Sequence, residues 1–450
     1  MSHSAKYSGW IHSGFFSGLQ KLSVPLSGVF VTMILAHEAL TKTEMGVWAL
    51  FMSITSIIEL IRQGLVKTAM IKYINYSSVN DHNYVIGAAF FLNAFITMLT
   101  ALIMFIFTPY FADILKAPQL EQMLYLLQIG MLLLIPFSHF EWLMYSKVEF
   151  RGLFWTYFFR QSITLILVFI LFLINKKISL NALVIIYNIG LITGILVSFG
   201  FVKTFLSNSL VFSKYWILRL FHFGKYVFAS GISTLVFRNA DQMMLSPLLG
   251  TTIFNASQNI AMRFNNLADL PSQTLGDILF VKGAKTENSN NPEIIKYYYE
   301  KTVGASLCIV LPIVIFVLIF PKAIIFILAG PQYYDAIPYL RLISFASITL
   351  SFLKQFGVIM DSTGRPLINL IMITLIAILQ VLMLYYFIRQ YHFIGAGYAL
   401  VITHLIAFIA TQFLLHKLFN VNFLNVFKYM FQFYPEFFKI ILEKLPWKRH

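Results

Sequence analysis

The sequence predicts an all-α polytopic membrane protein with about twelve transmembrane helices. Of its 450 residues, 59% are hydrophobic and only 11% are charged, whereas soluble domains carry about 25% charged residues. The mean hydropathy is +0.77. Apolar runs long enough to cross a bilayer as helices recur along the whole chain, and the alternation typical of barrel strands is absent.

Twelve apolar segments separated by short polar connections are the basis of this count. The predicted spans are residues 13–36, 45–64, 84–108, 121–145, 153–174, 181–202, 226–248, 253–281, 302–321, 337–360, 367–388 and 394–416. An even number of spans places both ends of the chain on the same side of the membrane.

The distribution of Lys and Arg outside the spans predicts which side that is. Twenty of these residues fall on the side of the chain ends and six on the opposite side. Cytoplasmic loops are enriched in Lys and Arg, so both termini are expected in the cytoplasm. The same bias explains the net charge of +15, and nucleic acid is therefore not expected as a partner.

The chain divides into two sets of six spans, and this division suggests an internal repeat. Residues 1–202 form the predicted N-terminal six-helix bundle and residues 226–416 the C-terminal one. The connection 203–225 mixes bulky apolar residues with Lys and Arg, which is typical of an amphipathic helix at the cytoplasmic membrane surface. The basic tail 417–450 has a similar pattern and is predicted to be cytoplasmic; a thirteenth span there is the alternative.

The seventh and eighth spans, within the stretch Lys225–Gly283, carry more polar residues than a lipid-facing helix tolerates. A charge at bilayer depth costs roughly 2.5–3.5 kcal/mol on insertion scales, so these helices must be buried in protein or line a wet cavity. On one face of the first lie Ser230, Thr234, Arg238 and Asp241; around the second lie Gln258, Asn259, Arg263, Asn265, Asn266 and Asp269. This hairpin is predicted to line a transport path.

Cations outnumber acids inside the predicted spans. The seven cations are Lys21, Arg62, Arg160, Arg238, Arg263, Arg341 and Lys354, and the four acids are Glu59, Glu141, Asp241 and Asp269. Local pairing, as in Glu59 with Arg62 or Arg238 with Asp241 at i, i+3, would neutralise some of them, and Arg341 and Lys354 lie close enough to span ends to snorkel. The surplus positive charge indicates an anionic ligand group such as phosphate or pyrophosphate, whose oxygens match the donors of Arg.

Other chemistries find little support in the sequence. There is no P-loop, no Cys/His cluster for a metal and a single cysteine, Cys308, so neither a cofactor nor a metal is expected. His139, Glu141 and His404 could form a proton path, but buried, hydrogen-bonded histidines are the preferred interpretation. The predicted outer loops are short and poor in acidic residues, which argues against a membrane-embedded enzyme.

Several short motifs carry a resemblance to a known family. They are Gly46-Val47-Trp48-Ala49-Leu50, Leu60-Ile61-Arg62-Gln63-Gly64-Leu65, Asp241 with Leu248-Leu249-Gly250, Ala268-Asp269-Leu270-Pro271, Gly364-Arg365-Pro366 and Gly395-Ala396-Gly397. With these motifs the chain resembles the polysaccharide-transporter branch of the multidrug/oligosaccharidyl-lipid/polysaccharide (MOP) flippase superfamily, which includes Wzx-type O-unit flippases.

The resemblance implies a MATE-like fold of two six-helix bundles around a central cavity. It also implies a flippase of the bacterial inner membrane that moves an undecaprenyl-pyrophosphate-linked oligosaccharide by alternating access, for O-antigen or capsule-like surface polysaccharide. The partners would then be that lipid-linked oligosaccharide, membrane lipids and the polysaccharide polymerase.

Within that mechanism each polar residue has an expected role. The pyrophosphate would be held by Lys21, Arg62, Arg238 and Arg263, and the sugar hydroxyls by Gln258, Asn259, Asn265 and Asn266. The candidates for coupling to a proton or a sodium ion are Glu59, Asp241 and Asp269.

Two alternatives remain open at this point. A cation-coupled multidrug antiporter of the same architecture would favour unpaired acids and aromatic residues in its cavity. A membrane-embedded glycan-transfer enzyme would need catalytic carboxylates in an outer loop.

Overall fold

The computed structural model describes residues 3–444 except 77, 207–210, 271, 274, 277–278 and 280–290. All long regular elements in the described residues are helices. They are α1 (His3–Ile34), α2 (Lys42–Arg62), α3 (Thr68–Tyr76), α4 (His82–Ile114), α5 (Gln119–Ser146), α6 (Phe150–Asn175), α7 (Leu180–Val202), α8 (Lys214–Leu249), α9 (Ile253–Ala268), α10 (Pro292–Ile319), α11 (Pro321–Ala329), α12 (Ala336–Ser362), α13 (Pro366–Phe419) and α14 (Phe423–Lys444).

The predicted fold class is confirmed for the described part of the chain. Nine helical stretches there are long and apolar enough to cross a membrane, and they coincide with ten of the twelve predicted spans because the 54-residue α13 contains two. The other two predicted spans, 226–248 and 253–281, correspond to α8 and to the 16-residue α9 with the residues after it, some of which lie outside the described part of the chain. The count of twelve is compatible with these helices and stays a prediction.

Short polar signals set several helix ends. Thr41 and Glu44 form a capping box at the start of α2, in which the Thr41 N–H donates to Glu44 Oε2 at 2.8 Å. Ser179 accepts a hydrogen bond from the Ala182 N–H at the start of α7. Gly250 ends α8 with a φ of +71°, a conformation that glycine adopts without strain.

The structure confirms a turn between predicted spans eleven and twelve, and a single residue forms it. His392 has φ 53° and ψ −138° inside the otherwise continuous α13. Behind this break Gly395 lies against the backbone of Phe387, where a Cβ would overlap the Phe387 carbonyl. Only a residue without a side chain permits that close approach.

A feature that the sequence did not predict follows Arg62 directly. The second predicted span continues beyond residue 64 as a π-turn, Gln63–Lys67, and then as α3. The π-turn packs against α8, where Gly224 lies against the carbonyl of Leu65 so closely that a Cβ would overlap it. π-turns inside helices are frequent at functional sites.

The first of two compact units comprises Met1–Asn259 and Leu328–Gln332. Its core joins α3, α4, α5 and the beginning of α8, with Met70, Trp142 and Leu220 fully buried. The short segment 328–332 belongs here because Gln332 Nε2 donates to the carbonyl of Ala36 at 2.6 Å.

The second unit comprises Ile260–Ile327 and Tyr333–His450. Its core is formed by α10, α12, α13 and α14, around Tyr299, Phe352 and Leu415. Glu300 is buried and accepts the Asn422 N–H at 2.8 Å and the Asn425 amide at 3.2 Å, which ties the start of α14 to α10.

The boundary between the compact units differs from the predicted division at residues 203–225. Helix α8 packs on α2, α3 and α4, so it stays with the first unit, and the division falls inside α9. Packing and span order are different criteria, and the grouping into residues 1–202, 226–416 and a tail 417–450 stays a prediction about the repeat.

Gly224 gives a direct test of the packing of α8. Replacing it with Ala should force α8 away from Leu65 and cost about 1–3 kcal/mol, which lowers the melting temperature of the purified protein by about 2 °C or more. Gly200→Ala in α7 is the matched control, because no atom lies within 4 Å of its added Cβ. Equal melting temperatures for the two variants would contradict this packing.

Candidate functional site

Arg62 lies at the centre of a buried polar cluster in the first unit. It is 1% exposed, and its Nη2 donates to Asn93 Oδ1 at 3.0 Å, to the Leu134 carbonyl at 2.8 Å and to Ser138 Oγ at 2.5 Å. Asn93 in turn donates to the carbonyl of Ile135 at 3.0 Å. All these acceptors are neutral oxygens of α4 and α5.

This geometry corrects two expectations for Arg62. Its recorded hydrogen bonds go to neutral oxygens of other helices, and the i, i+3 pairing with Glu59 is not among them. Its donors at Nη2 are also occupied, so it is better placed to join α2, α4 and α5 than to bind a pyrophosphate. The reason is that tertiary partners 31 to 76 residues away in sequence outcompete a local acid.

A narrow cleft adjoins Arg62 in the first unit, with an internal volume of about 10 Å³, roughly the space of one water molecule. It is lined by Glu59, Arg62, Gln63, Leu134, Phe137, Ser138, Glu141, Trp142 and Tyr157. Glu59 accepts a hydrogen bond from the Tyr187 hydroxyl at 3.3 Å. Glu141, which also lines the cleft, forms an ion pair with Lys67 at 3.2 Å, and Lys67 is not itself part of the lining. Glu59 is thus a carboxylate that reaches a cleft without an ion pair in the described residues.

Arg160 lies near this cleft but is held by aromatic rings. Its guanidinium carbon is 4.7 Å from the centre of the Phe137 ring and 5.4 Å from that of Tyr187. A cation over ring faces is stabilised without an acid. Arg160 therefore needs no anionic ligand to be accommodated.

In the hairpin of α8 and α9, two residues with different predicted roles bind each other. Gln258 Nε2 donates to Asp241 Oδ2 at 2.6 Å, and both side chains are buried. Asn255 joins them by donating to the carbonyl of Gln242 at 2.6 Å. Asp241 was predicted for ion coupling and Gln258 for sugar binding; the structure instead uses both to hold the hairpin together.

A similar correction applies in the second unit. Ser347 donates to Asn265 Oδ1 at 2.5 Å, and Lys354 forms an ion pair with Asp269, which also accepts from Gln273. Lys354 was predicted to snorkel, Asn265 to bind sugar and Asp269 to couple an ion. Their side chains instead join α9 and the residues just after it to α12.

One face of α9 keeps polar groups that no neighbour engages. Asn259, Arg263 and Asn266 recur at i, i+4 and i+7, and we call them the α9 polar face. Asn259 Oδ1 and Arg263 Nε are buried yet have no hydrogen-bond partner among the residues that the structure describes. Asn266 is exposed. These three are the predicted site residues on α9 whose side chains are not used in packing.

Arg238 and Lys21 are the other two cations that the sequence predicted to bind the pyrophosphate. Arg238 is exposed on α8, four residues after the exposed Thr234, whereas Asp241 on the same predicted stripe is buried. The predicted stripe from Ser230 to Asp241 is thus not continuous, because Asp241 turns toward α9. The side chains of Lys21 and Ser230 lie outside what the structure describes.

The two histidines considered for a proton path are core residues. His139 is 2% exposed and packs edge-on to Phe90, with 5.3 Å between ring centres. His404 lies 3.4 Å from the carbonyl of Ala346 through Nδ1. Both are buried as expected, but only His404 has the expected hydrogen bond, since His139 Nδ1 has no partner among the described residues.

Several residues of these clusters were not singled out from the sequence. Asn93, Ser138 and Tyr187 each stand inside a strongly apolar span, where a polar residue is itself a signal. On α12, Ser347, Ser351 and Gln355 recur at i, i+4 and i+8, and this stripe meets the polar residues from 265 to 272.

The α9 polar face has the chemistry of an oxyanion and hydroxyl site. A guanidinium offers five N–H donors in a fixed fork, and each flanking amide offers donors and an acceptor. Side chains of these types can bind phosphate oxygens through the guanidinium and sugar hydroxyls through the amides. The described residues contain no group of three or more His, Cys, Asp or Glu side chains that would hold a metal.

The sequence of this chain is similar to those of known proteins. The family described as "Polysaccharide biosynthesis protein" matches residues 38–338. An uncharacterized membrane protein of Methanocaldococcus jannaschii is 28% identical over 221 residues, which make up 49% of this chain and 44% of that relative. The alignment thus spans less than half the length of that relative.

Two solved structures share the fold. An inward-facing multidrug resistance MATE family transporter of the MOP superfamily has a TM-score of 0.74 at 13% identity, covering 89% of this chain and 98% of that one. The lipid II flippase MurJ, in an inward closed conformation, has a TM-score of 0.72 at 14% identity, covering 96% and 92%. These neighbours confirm the predicted MATE-like fold, and the family match over residues 38–338 supports the predicted relation to polysaccharide biosynthesis.

The cluster around Arg62 can be tested through Asn93. Asn93→Ala removes an acceptor from a buried guanidinium, and a hydrogen bond to a charged group contributes about 1.5–3 kcal/mol. The melting temperature should fall by several degrees, about 2–4 °C for each kcal/mol. Asn75→Ala is the control, because the exposed Asn75 bonds only to the carbonyl of Ile71. An unchanged melting temperature for Asn93→Ala would show that Arg62 does not depend on this contact.

Proposed function

This chain belongs to the polysaccharide biosynthesis protein family, and we propose that it is a flippase for an undecaprenyl-pyrophosphate-linked oligosaccharide. It would move this lipid-linked sugar across the cytoplasmic membrane by alternating access. The product would enter the assembly of a surface polysaccharide of the O-antigen or capsule type, with a polysaccharide polymerase as the next partner.

The observation that carries the proposal is the α9 polar face. Arg263 has a buried donor without a partner in the described residues, and Asn259 has a buried acceptor in the same state. Leaving such groups unsatisfied costs about 1–3 kcal/mol each, and more for a charged group. A ligand with anionic and hydroxyl oxygens would satisfy both.

The chemistry of the substrate explains why such a face is needed. Each sugar hydroxyl costs on the order of a few kcal/mol when it leaves water without a new partner. A pyrophosphate adds negative charge, which hydrocarbon does not accept. The polyprenyl chain is apolar and stays in lipid, so only the head group needs a polar path through the protein.

The proposed assignment of residues is narrower than the one the sequence suggested. Arg263 binds the pyrophosphate, and Arg238 and Lys21 stay sequence-based predictions for the same ligand group. Asn259 and Asn266 bind sugar hydroxyls. Gln258 and Asn265 hold α9 against its neighbours, and Arg62 joins α2, α4 and α5, although Arg62 Nε and Gln258 Oε1 have no partner among the described residues.

For ion coupling we propose Glu59. Of the three acids considered for this role, Asp241 is bound by Gln258 and Asp269 by Lys354, whereas Glu59 reaches the cleft next to Arg62. Binding of a proton or a sodium ion there would change the charge beside the π-turn 63–67, a segment with altered helical geometry.

We place the protein in the cytoplasmic membrane with both termini in the cytoplasm. This orientation rests on the excess of Lys and Arg on the side of the chain ends, twenty against six. The rival function, multidrug antiport, shares the fold. A cationic drug would be repelled by the unpaired guanidinium of the α9 polar face, which favours an anionic substrate.

The proposal predicts weaker binding of the pyrophosphate head group when Arg263 is removed. Undecaprenyl pyrophosphate would be titrated into purified protein, with binding followed by tryptophan fluorescence. Arg263→Ala should weaken binding by about tenfold to a hundredfold, the range for a hydrogen bond to a charged group. Arg263→Lys should recover part of the loss, because the charge remains and the fork is lost.

Arg341→Ala is the matched control, since it removes an exposed cation from a different helix and should leave binding unchanged. Cells that depend on the Arg263→Ala variant should accumulate lipid-linked glycan in the inner leaflet. Equal binding by wild type, Arg263→Ala and Arg341→Ala, with normal surface glycan, would contradict the proposed site. Tighter binding of a cationic drug than of undecaprenyl pyrophosphate would favour the antiporter instead.

A further inference from the structure

We propose that the first three turns of α8 lie in the lipid headgroup layer and bind anionic phospholipid headgroups. The outward side of these turns, which we call the headgroup face, consists of Lys214, Tyr215, Leu218, Arg219, Phe221, His222 and Lys225. This inference rests on the membrane location of the chain and is independent of the proposed substrate.

The opposite side of the same turns is fixed by packing. Trp216 is 7% exposed and Leu220 is fully buried, both in the core that α8 shares with α3 and α4. Gly224, one turn further, lies against Leu65. This contact at i, i+4 and i+8 determines which residues face outward.

The headgroup face exposes more large apolar side chains than is usual for a surface that contacts only water. Tyr215, Leu218 and Phe221 are 62%, 57% and 46% exposed, and Phe212, just before the helix, is 65% exposed. Clusters of large exposed apolar side chains mark surfaces that contact another molecule or a membrane.

The headgroup face also carries too many charged side chains for a surface that contacts only hydrocarbon. Lys214, Arg219 and Lys225 are exposed on the same side of the helix, and charged groups are costly at bilayer depth. The headgroup boundary accommodates both kinds of residue, because aromatic and aliphatic groups reach the acyl chains while cations meet phosphates. Since α8 continues directly into the seventh predicted span, its first turns are close to this boundary.

Contacts with neighbouring side chains fix the position of the exposed Arg219 guanidinium, where a phosphate can reach it. Its Nη1 donates to the Tyr215 hydroxyl at 2.7 Å, and its guanidinium carbon lies 4.9 Å from the Tyr73 ring centre and 5.1 Å from that of Trp216. Interaction with the Tyr73 side chain raises the pKa of Arg219, which favours its charged form. Lys72 adds a second cation from α3, with Nζ 4.0 Å from the Phe223 ring centre.

The positive charge of the headgroup face favours an anionic occupant. Anionic lipids attract Lys and Arg at the membrane surface by about fivefold per charge, and the excess of Lys and Arg predicts that these turns face the cytoplasmic leaflet, where anionic lipids concentrate. We therefore assign the headgroup face to anionic phospholipid. The test must distinguish anionic phospholipid from two other possible occupants, the pyrophosphate of the transported lipid and a partner protein.

The test places a fluorescent label on the headgroup face. Leu218→Cys, in a Cys308→Ser background, would be labelled with bimane and reconstituted in phosphatidylcholine vesicles. Nitroxide-bearing phosphatidylglycerol or nitroxide-bearing phosphatidylcholine would be added at equal mole fraction. Quenching by the phosphatidylglycerol should exceed quenching by the phosphatidylcholine by about fivefold or more, the factor for one surface charge.

Matched charge removals distinguish a local site from general attraction. The triple variant Lys214→Gln/Arg219→Gln/Lys225→Gln should bring the two lipids to equal quenching. The control triple variant Lys176→Gln/Lys177→Gln/Lys322→Gln removes exposed cations from the opposite predicted side and should leave the preference intact.

Four results would overturn the proposal. Equal quenching by both lipids in the protein with native charges would exclude anionic recognition. Quenching by aqueous iodide without quenching by lipid would show a solvated face, and quenching by neither would show that protein covers it. Displacement of the labelled phosphatidylglycerol by undecaprenyl pyrophosphate would assign the face to the transported lipid.

Discussion

A buried polar group inside a membrane needs a partner, because hydrocarbon supplies none. The helices of this protein meet that requirement mostly through contacts between helices. Arg62 is bound by oxygens of α4 and α5, Asp241 by Gln258, and Asp269 by Lys354. Each contact fixes how two helices lie against each other, so the polar residues of the apolar segments are the main determinants of the packing within each unit.

The exceptions to this rule are therefore informative. The α9 polar face keeps a guanidinium and two amides outside these contacts, on a helix whose other polar side chains are engaged in packing. Buried polar atoms without a partner also occur elsewhere in the described residues, for example Arg62 Nε and Gln258 Oε1, so the α9 polar face is distinguished by placing a guanidinium and an amide in this state on one face of the same helix. The same reasoning narrows ion coupling to Glu59 and leaves the role of Arg62 structural.

The sequence predicted what depends on local order along the chain. Span positions, the break near residue 392 and the excess of intramembrane cations follow from hydropathy, turn geometry and residue counts. It did not predict which cations are used for packing, because the partners of Arg62 and of Asp269 are 31 to 85 residues away. Helical periodicity placed Gln258 and Asn259 side by side as ligands, yet only a fold shows that one of them faces Asp241. The π-turn after Arg62 leaves no mark in the hydropathy pattern.

The central claim is that Asn259, Arg263 and Asn266 form a ligand-binding face that a hydrophilic reagent can reach, whereas Gln258 and Asn265 are used in packing. Single cysteines at positions 258, 259, 263, 265 and 266, in a Cys308→Ser background, would be treated in membranes with a small hydrophilic thiol reagent. The account predicts fast modification at 259, 263 and 266, slow modification at 258 and 265, and protection of the first three by undecaprenyl pyrophosphate. Uniform modification along α9, or none at position 263, would contradict it.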